Sequence, residues 1–126
     1  MKIKTSELTG RALDWAVARA IGAVEITEGT TRRLELPDGY SVYDRYASTF
    51  SPSTTWSQCG PLIEKHHVEL NFNSVSEEWS AYIFNFKELE SVIEDGDTPQ
   101  IAICRAVVAA QLGYEVEIPD ELMEGV

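Results

Sequence analysis

The chain predicts an α+β fold, with an antiparallel sheet packed against two main helices in one compact domain. Three observations carry this expectation. Apolar residues recur at spacings of three and four in two stretches, around 13–21 and 101–112. Between those stretches they alternate with polar residues at a period of two, in short segments divided by Gly, Pro, Asn and Asp. The chain has 126 residues, 44% hydrophobic and 25% charged, so it suits a single globular domain with a core of its own.

The first helix is expected from a cap at Ser6 or Thr9 to a stop at Gly22, which tolerates positive φ. Leu13, Ala16, Val17, Ala20 and Ile21 make its apolar stripe. Arg11, Asp14 and Ala18 fall on the opposite side, and Trp15 lies at the edge. Val24 and Ile26 then alternate with Glu25 and Thr27, Glu28-Gly29 turns, and Leu34 and Leu36 alternate with Arg33 and Glu35, which reads as a β-hairpin. Pro37-Asp38-Gly39 makes the next turn, and Tyr40, Val42 and Tyr43 extend the sheet.

Residues 47–60 have no period and are expected to form an irregular loop. Pro61 can open a short helix from Leu62 to His66. Val68, Leu70 and Phe72 alternate with Glu69, Asn71 and Asn73 as a strand, and Trp79 to Phe86 supplies its partner. Lys87 to Asp97 is expected to be an acidic connection ending in a turn. Asp97 or Thr98 caps the second main helix, with Pro99 at its first position, Ile101 through Leu112 as its body and Gly113 as its stop. That helix is apolar nearly all round, Arg105 and Gln111 excepted, so it should be buried against the sheet. Tyr114 to Ile118 reads as a short strand, and an acidic tail occupies 119–126. The expected core includes Leu13, Val17, Val68, Leu70, Ile83, Ile101, Val108 and Leu112.

The net charge of −11 is concentrated. Residues 88–126 carry ten acids and one base, Arg105. Direct nucleic-acid binding is excluded on this balance, because Lys and Arg must replace the phosphate counterions. The acidic face serves solubility, or it meets a basic protein surface. No apolar run approaches the roughly 20 residues that span a bilayer, and the N-terminus lacks the apolar region of a signal peptide. Cys59 and Cys104 suggest no disulfide framework. These features predict a cytosolic protein with no membrane partner.

Candidate functional residues gather in the stretch before the short helix. Ser51, Ser53, Thr54, Trp56, Gln58, Gly60 and Glu64 bring hydroxyls, an amide, an indole and a carboxylate to one segment. As a scaffold, the hydroxyls would satisfy the loop's own backbone and Trp56 would plug the loop to the core. As a site, Trp56 would offer a stacking wall beside a helix N-terminus at Pro61 that favours an anion, a nucleotide-like one for example. Arg105 joins the candidates because a guanidinium on an apolar helix needs a partner. That partner is an internal carboxylate such as Asp14 or Glu64, or an anionic group of a ligand. No catalytic or metal set emerges. His66-His67 are adjacent rather than one helical turn apart, Cys59 has no diagnostic spacing to a base, and Gly-rich phosphate loops are missing. No cofactor is expected.

Several blocks, in order, resemble the small NinX-type phage proteins: Lys4-Thr-Ser-Glu-Leu-Thr-Gly10 with Ala12-Leu-Asp-Trp-Ala-Val17, Phe50-Ser-Pro-Ser-Thr-Thr-Trp-Ser-Gln-Cys-Gly-Pro-Leu-Ile-Glu64, and Arg105 followed by Leu112-Gly-Tyr-Glu-Val-Glu-Ile-Pro-Asp-Glu-Leu122. The resemblance covers almost the whole chain. It implies a tailed phage or prophage of enteric bacteria, hence the host bacterial cytoplasm, and it carries over no activity. Where the family's pattern has Gly, this chain has Cys59, which argues against Cys59 as a nucleophile or ligand. The expectation for function is a non-enzymatic phage accessory protein that binds and modulates a host protein, through its acidic surface or its Ser/Thr/Trp loop. The alternative is a small-anion binder or sequestering protein using residues 51–64. The number of aromatics is compatible with a homodimer.

Overall fold

The computed structural model describes residues 1–123; the last three residues of the expected tail lie outside it. The fold is α+β, as the periodicity predicts, but the single expected sheet is three. β1 (Lys2–Lys4) pairs antiparallel with β8 (Glu115–Glu117). β2 (Val24–Glu28), β3 (Thr31–Glu35) and β4 (Ser41–Tyr43) form a second antiparallel sheet. β5 (Glu69–Asn73), β6 (Glu78–Asn85) and β7 (Glu90–Gly96) form a third.

Three helices join these sheets around one core: α1 (Gly10–Ala20), α2 (Trp56–His66) and α3 (Pro99–Leu112). α3 lies at the centre. It packs against β6 and β7 on one side and against α1 and α2 on the other, and α1 reaches on to β3 and β4. Its sequence suits that place. The Thr98 hydroxyl accepts from the Ile101 N–H at 3.2 Å, Pro99 sits in the first turn, and Gly113 leaves the helix at φ 99°. Ala102 to Cys104 and Ala106 to Ala109 are all buried, because neighbours approach from both sides.

Several expectations are corrected. α1 is not one-sided: Asp14 and Ala18, assigned to its polar face, are as buried as the apolar stripe, and Trp15 is fully enclosed. Between the helix ends, only Arg11 and Arg19 are exposed to water. Leu112 is exposed at the helix end, and Leu70 and Ile101 are only half-buried, while the other five expected core residues are buried. The acidic connection after Lys87 is largely strand β7. Val92, Glu94 and Gly96 point inward and Ser91, Ile93 and Asp95 outward, so an acid at a core-facing position hides the period. Glu94 is buried, which raises its carboxyl pKa, and the nearby Arg105 opposes that rise. The acidic segment after Ile118 is not loose from its first residue either. Pro119 and Leu122 are buried, and Asp120–Met123 form a 3-10 turn.

No helix among the described residues is long and apolar enough to cross a membrane.

Candidate functional site

The segment singled out in the sequence divides into a pinned connection and a helix. Residues 48–55 are held by hydrogen bonds to their surroundings. The Thr49 and Phe50 N–H groups donate to the Ser41 carbonyl at 2.9 and 3.0 Å, and the Thr49 hydroxyl accepts from the Ser41 N–H at 2.8 Å. The Ser51 N–H donates to Gln58 Oε1 at 2.6 Å, and Gln58 Nε2 donates to the Thr49 carbonyl at 2.8 Å. Ser51 Oγ and Thr55 Oγ1 bond each other at 2.9 Å. The Ser53 N–H reaches Asp14 Oδ1 at 2.9 Å, which ties the connection to α1. Three of the candidate residues, Ser51, Ser53 and Gln58, thus direct these groups inward.

α2 begins at Trp56, not at Pro61. The Thr55 carbonyl accepts from the Gln58 and Cys59 N–H groups at 3.1 and 3.0 Å and closes the first turn. Pro61 therefore sits inside the helix, on its exposed side, and no helix N-terminus lies there to receive an anion. The helix ends with His67 in the left-handed region, φ 52°, and the Val68 N–H on the Ile63 carbonyl at 3.0 Å.

The corrected helix phases the remaining candidates. Trp56, Gly60 and Glu64 are four residues apart and share one face. Trp56 is 50% exposed and Glu64 is exposed. A Cβ added at Gly60 would meet nothing within 4 Å, so glycine there leaves open space beside the indole. Thr54 stands exposed just before the helix. On the adjoining face, Ser57, Gln58, Pro61 and Lys65 border a cleft of about 390 Å³, closed on its far side by Leu36, Pro37, Asp38, Tyr40 and Phe50. Sequence reading missed this cleft because it started the helix five residues late. Run from Trp56, the 3.6-residue period aligns Ser57, Pro61 and Lys65.

Arg105 is not part of this arrangement. Its Nε donates to the Leu8 carbonyl at 3.0 Å and a terminal nitrogen to the Asp95 carbonyl at 2.7 Å. Backbone oxygens take the place of the expected Asp14 or Glu64. Burial lowers its pKa, and the carboxylates of Glu94, Asp97, Glu78 and Asp95 resist that.

Beneath α2 lies a buried polar seam. Burial raises the Asp14 carboxyl to about 6, opposed first by the Ser53 N–H. The Ser53 side chain opposes it too, yet Ser53 Oγ is buried with no hydrogen bond of ordinary geometry, so the N–H bond is the contact that counts. Cys59 and Cys104 are free and buried. The neighbouring Cys104 thiol draws the Cys59 pKa below its ordinary value, and Cys59 together with burial pushes Cys104 up. Burial lowers the pKa of His66, helped by Lys65 and His67. Among the described residues no three His, Cys, Asp or Glu side chains gather as a metal site.

No curated protein matches the chain. A family model described as Bacteriophage P22, NinX matches residues 4–111, from β1 through all but the last residue of α3, and so takes in the pinned connection, α2 and the Asp14 seam. The chain belongs to that phage NinX family.

Proposed function

We propose that this phage protein acts without catalysis, by binding a protein in the host bacterial cytoplasm through the outward face of α2. One observation carries the reading. Trp56 stands half out of the protein beside an unfilled Gly60, while Ser51, Ser53 and Gln58 are committed to internal hydrogen bonds. An exposed indole on a rigid helix is the kind of anchor that dominates protein interfaces. The net charge of −11 favours a basic partner and speeds its encounter. The test is co-purification of the tagged protein from host cells. A host protein should be recovered in stoichiometric yield with the wild type and lost with Trp56→Ala, whose fold is unaffected. Full recovery with Trp56→Ala would sink the α2 face as the contact.

The cleft beside α2 supports a second reading, a small anionic ligand. Its volume of about 390 Å³ suits a small molecule, and Lys65 supplies a cation at its rim, against Asp38 opposite. A metabolite released from purified protein on denaturation, and absent after Lys65→Ala, would replace the first reading.

A further inference from the structure

We propose that the outer face of the β5–β6–β7 sheet is a second docking surface, and that its occupant is an amphipathic, Lys/Arg-rich helix of a partner protein. α3 covers only the inner face of this sheet. The outer face carries a continuous apolar ridge. Tyr82 and Ile93 are directly paired across β6 and β7, and Phe84 follows on the same side of β6. The Phe84 ring meets Phe86 edge-on at 4.8 Å between centroids. Ile93 is 59% exposed, Phe86 76% and Leu89 77%. Leu89 is moreover held at φ 54°, a left-handed conformation that a bulky side chain rarely adopts.

Four polar side chains of the face are already paired: Ser80 Oγ donates to Asp95 Oδ1 at 2.6 Å, and Tyr82 and Ser91 share a hydrogen bond at 2.7 Å. What remains for a partner is mainly apolar surface, including a groove of about 360 Å³ along Tyr82 and Ile93, bordered by Glu69, Asn71 and Ser80. Charge selects the occupant. Residues 69–96 carry seven acids and one base, Lys87. Glu69 and Asp95 stand on the outer face, and Glu88 and Glu90 at its hairpin end. A second copy would bring acid against acid, and an anionic lipid or nucleic acid would be repelled in the same way. A helix with an apolar stripe between basic flanks matches both the ridge and its rim, and it would complete on the outer face the helix-on-sheet layer that α3 makes on the inner one. Lys65, His66 and His67 at the end of α2 border this surface at Tyr82, Phe84 and Phe86, but Trp56 is not part of it, and the proposal does not depend on the Trp56 face.

The experiment uses the full chain, isotopically labelled, and a synthetic peptide of about 18 residues with Leu at helical spacing and Lys elsewhere, at about 50 mM salt. Amide shifts should be confined to β5–β7 and the 86–89 turn. Phe84→Ser with Ile93→Ser should weaken binding about tenfold or more, as should a tenfold rise in salt. Ile93→Thr, which preserves strand propensity, gives the same direction should the double variant fold poorly. A matched peptide with Glu for Lys should leave the spectrum unchanged, and Trp56→Ala should leave the Lys peptide's affinity unchanged, which separates this surface from the α2 face. The proposal is overturned by shifts elsewhere on the protein, by equal binding of the Glu peptide, or by unaltered affinity of both variants. It is also overturned if sedimentation finds the protein alone dimerising through Ile93, which would make a second copy the occupant.

Discussion

Asp14 is a buried carboxylate whose one hydrogen bond within the described residues comes from a backbone N–H. Its pKa is about 6 in the fold against an ordinary 3.8, so the folded state holds the proton more tightly. The stabilisation from that proton is complete below about pH 4 and is lost as pH rises through about 6. The shift corresponds to about 3 kcal/mol at neutral pH. Asp14→Asn keeps an oxygen for the Ser53 N–H and removes the charge. It should raise unfolding free energy at pH 7 by about 1–3 kcal/mol and have little effect at pH 4. Denaturant titrations at the two pH values check this, and an equal loss at both would show that the carboxyl group is needed whatever its charge, against the raised pKa. Two other residues separate in the same way. Gln58 bridges two backbone groups, and Gln58→Ala should cost about 1–3 kcal/mol in a thermal or denaturant melt. Ser53→Ala removes only a hydroxyl without a partner and should cost less than about 0.5 kcal/mol. Composition marked both residues as notable. Only their positions show that Gln58 and the Ser53 backbone build the scaffold while Trp56 faces water.

The elements were legible where their ends are punctuated and their pattern undisturbed. α3 has Thr98 and Pro99 before it and Gly113 after it, and the β2–β3 hairpin keeps a clean alternation. α2 was half legible, because Pro61 reads as a start although the exposed side of this helix tolerates it. β7 was concealed by Glu94, an acid on the buried face, and β1 is three residues whose partner lies at the far end of the chain. The candidate face on α2 was therefore named residue by residue without its geometry. Two glycines test the elements directly. Gly96 ends β7 where α3 begins, and a Cβ there would come within 2.7 Å of the Ala102 nitrogen and 2.8 Å of Ile101 Cγ2. Gly96→Ala should lower stability by about 1–3 kcal/mol, since backbone has to move. Gly60→Ala meets no neighbour and should stabilise the helix by about 0.5–1 kcal/mol. Calorimetric or chemical unfolding of the pair should move in opposite directions, and a stable Gly96→Ala protein would contradict the close approach of β7 and α3.

The class of the whole molecule and its acidity could be read from sequence, because they depend on sums and periods. The division into three sheets could not, because it depends on which strands find each other. That division has a consequence in time. The β2–β4 and β5–β7 sheets share no ladder, and α3 is the common wall between the sheet on one side and α1 with α2 on the other. Opening need not be uniform. The β2–β3 hairpin, whose β2 is mostly exposed, can detach by breaking one ladder, whereas freeing α3 requires both layers to part. Deuterium uptake followed by mass spectrometry should fill residues 24–35 first and residues 102–109 last, the latter at the rate of global unfolding. Equal uptake in both segments would mean that the molecule opens as a single unit.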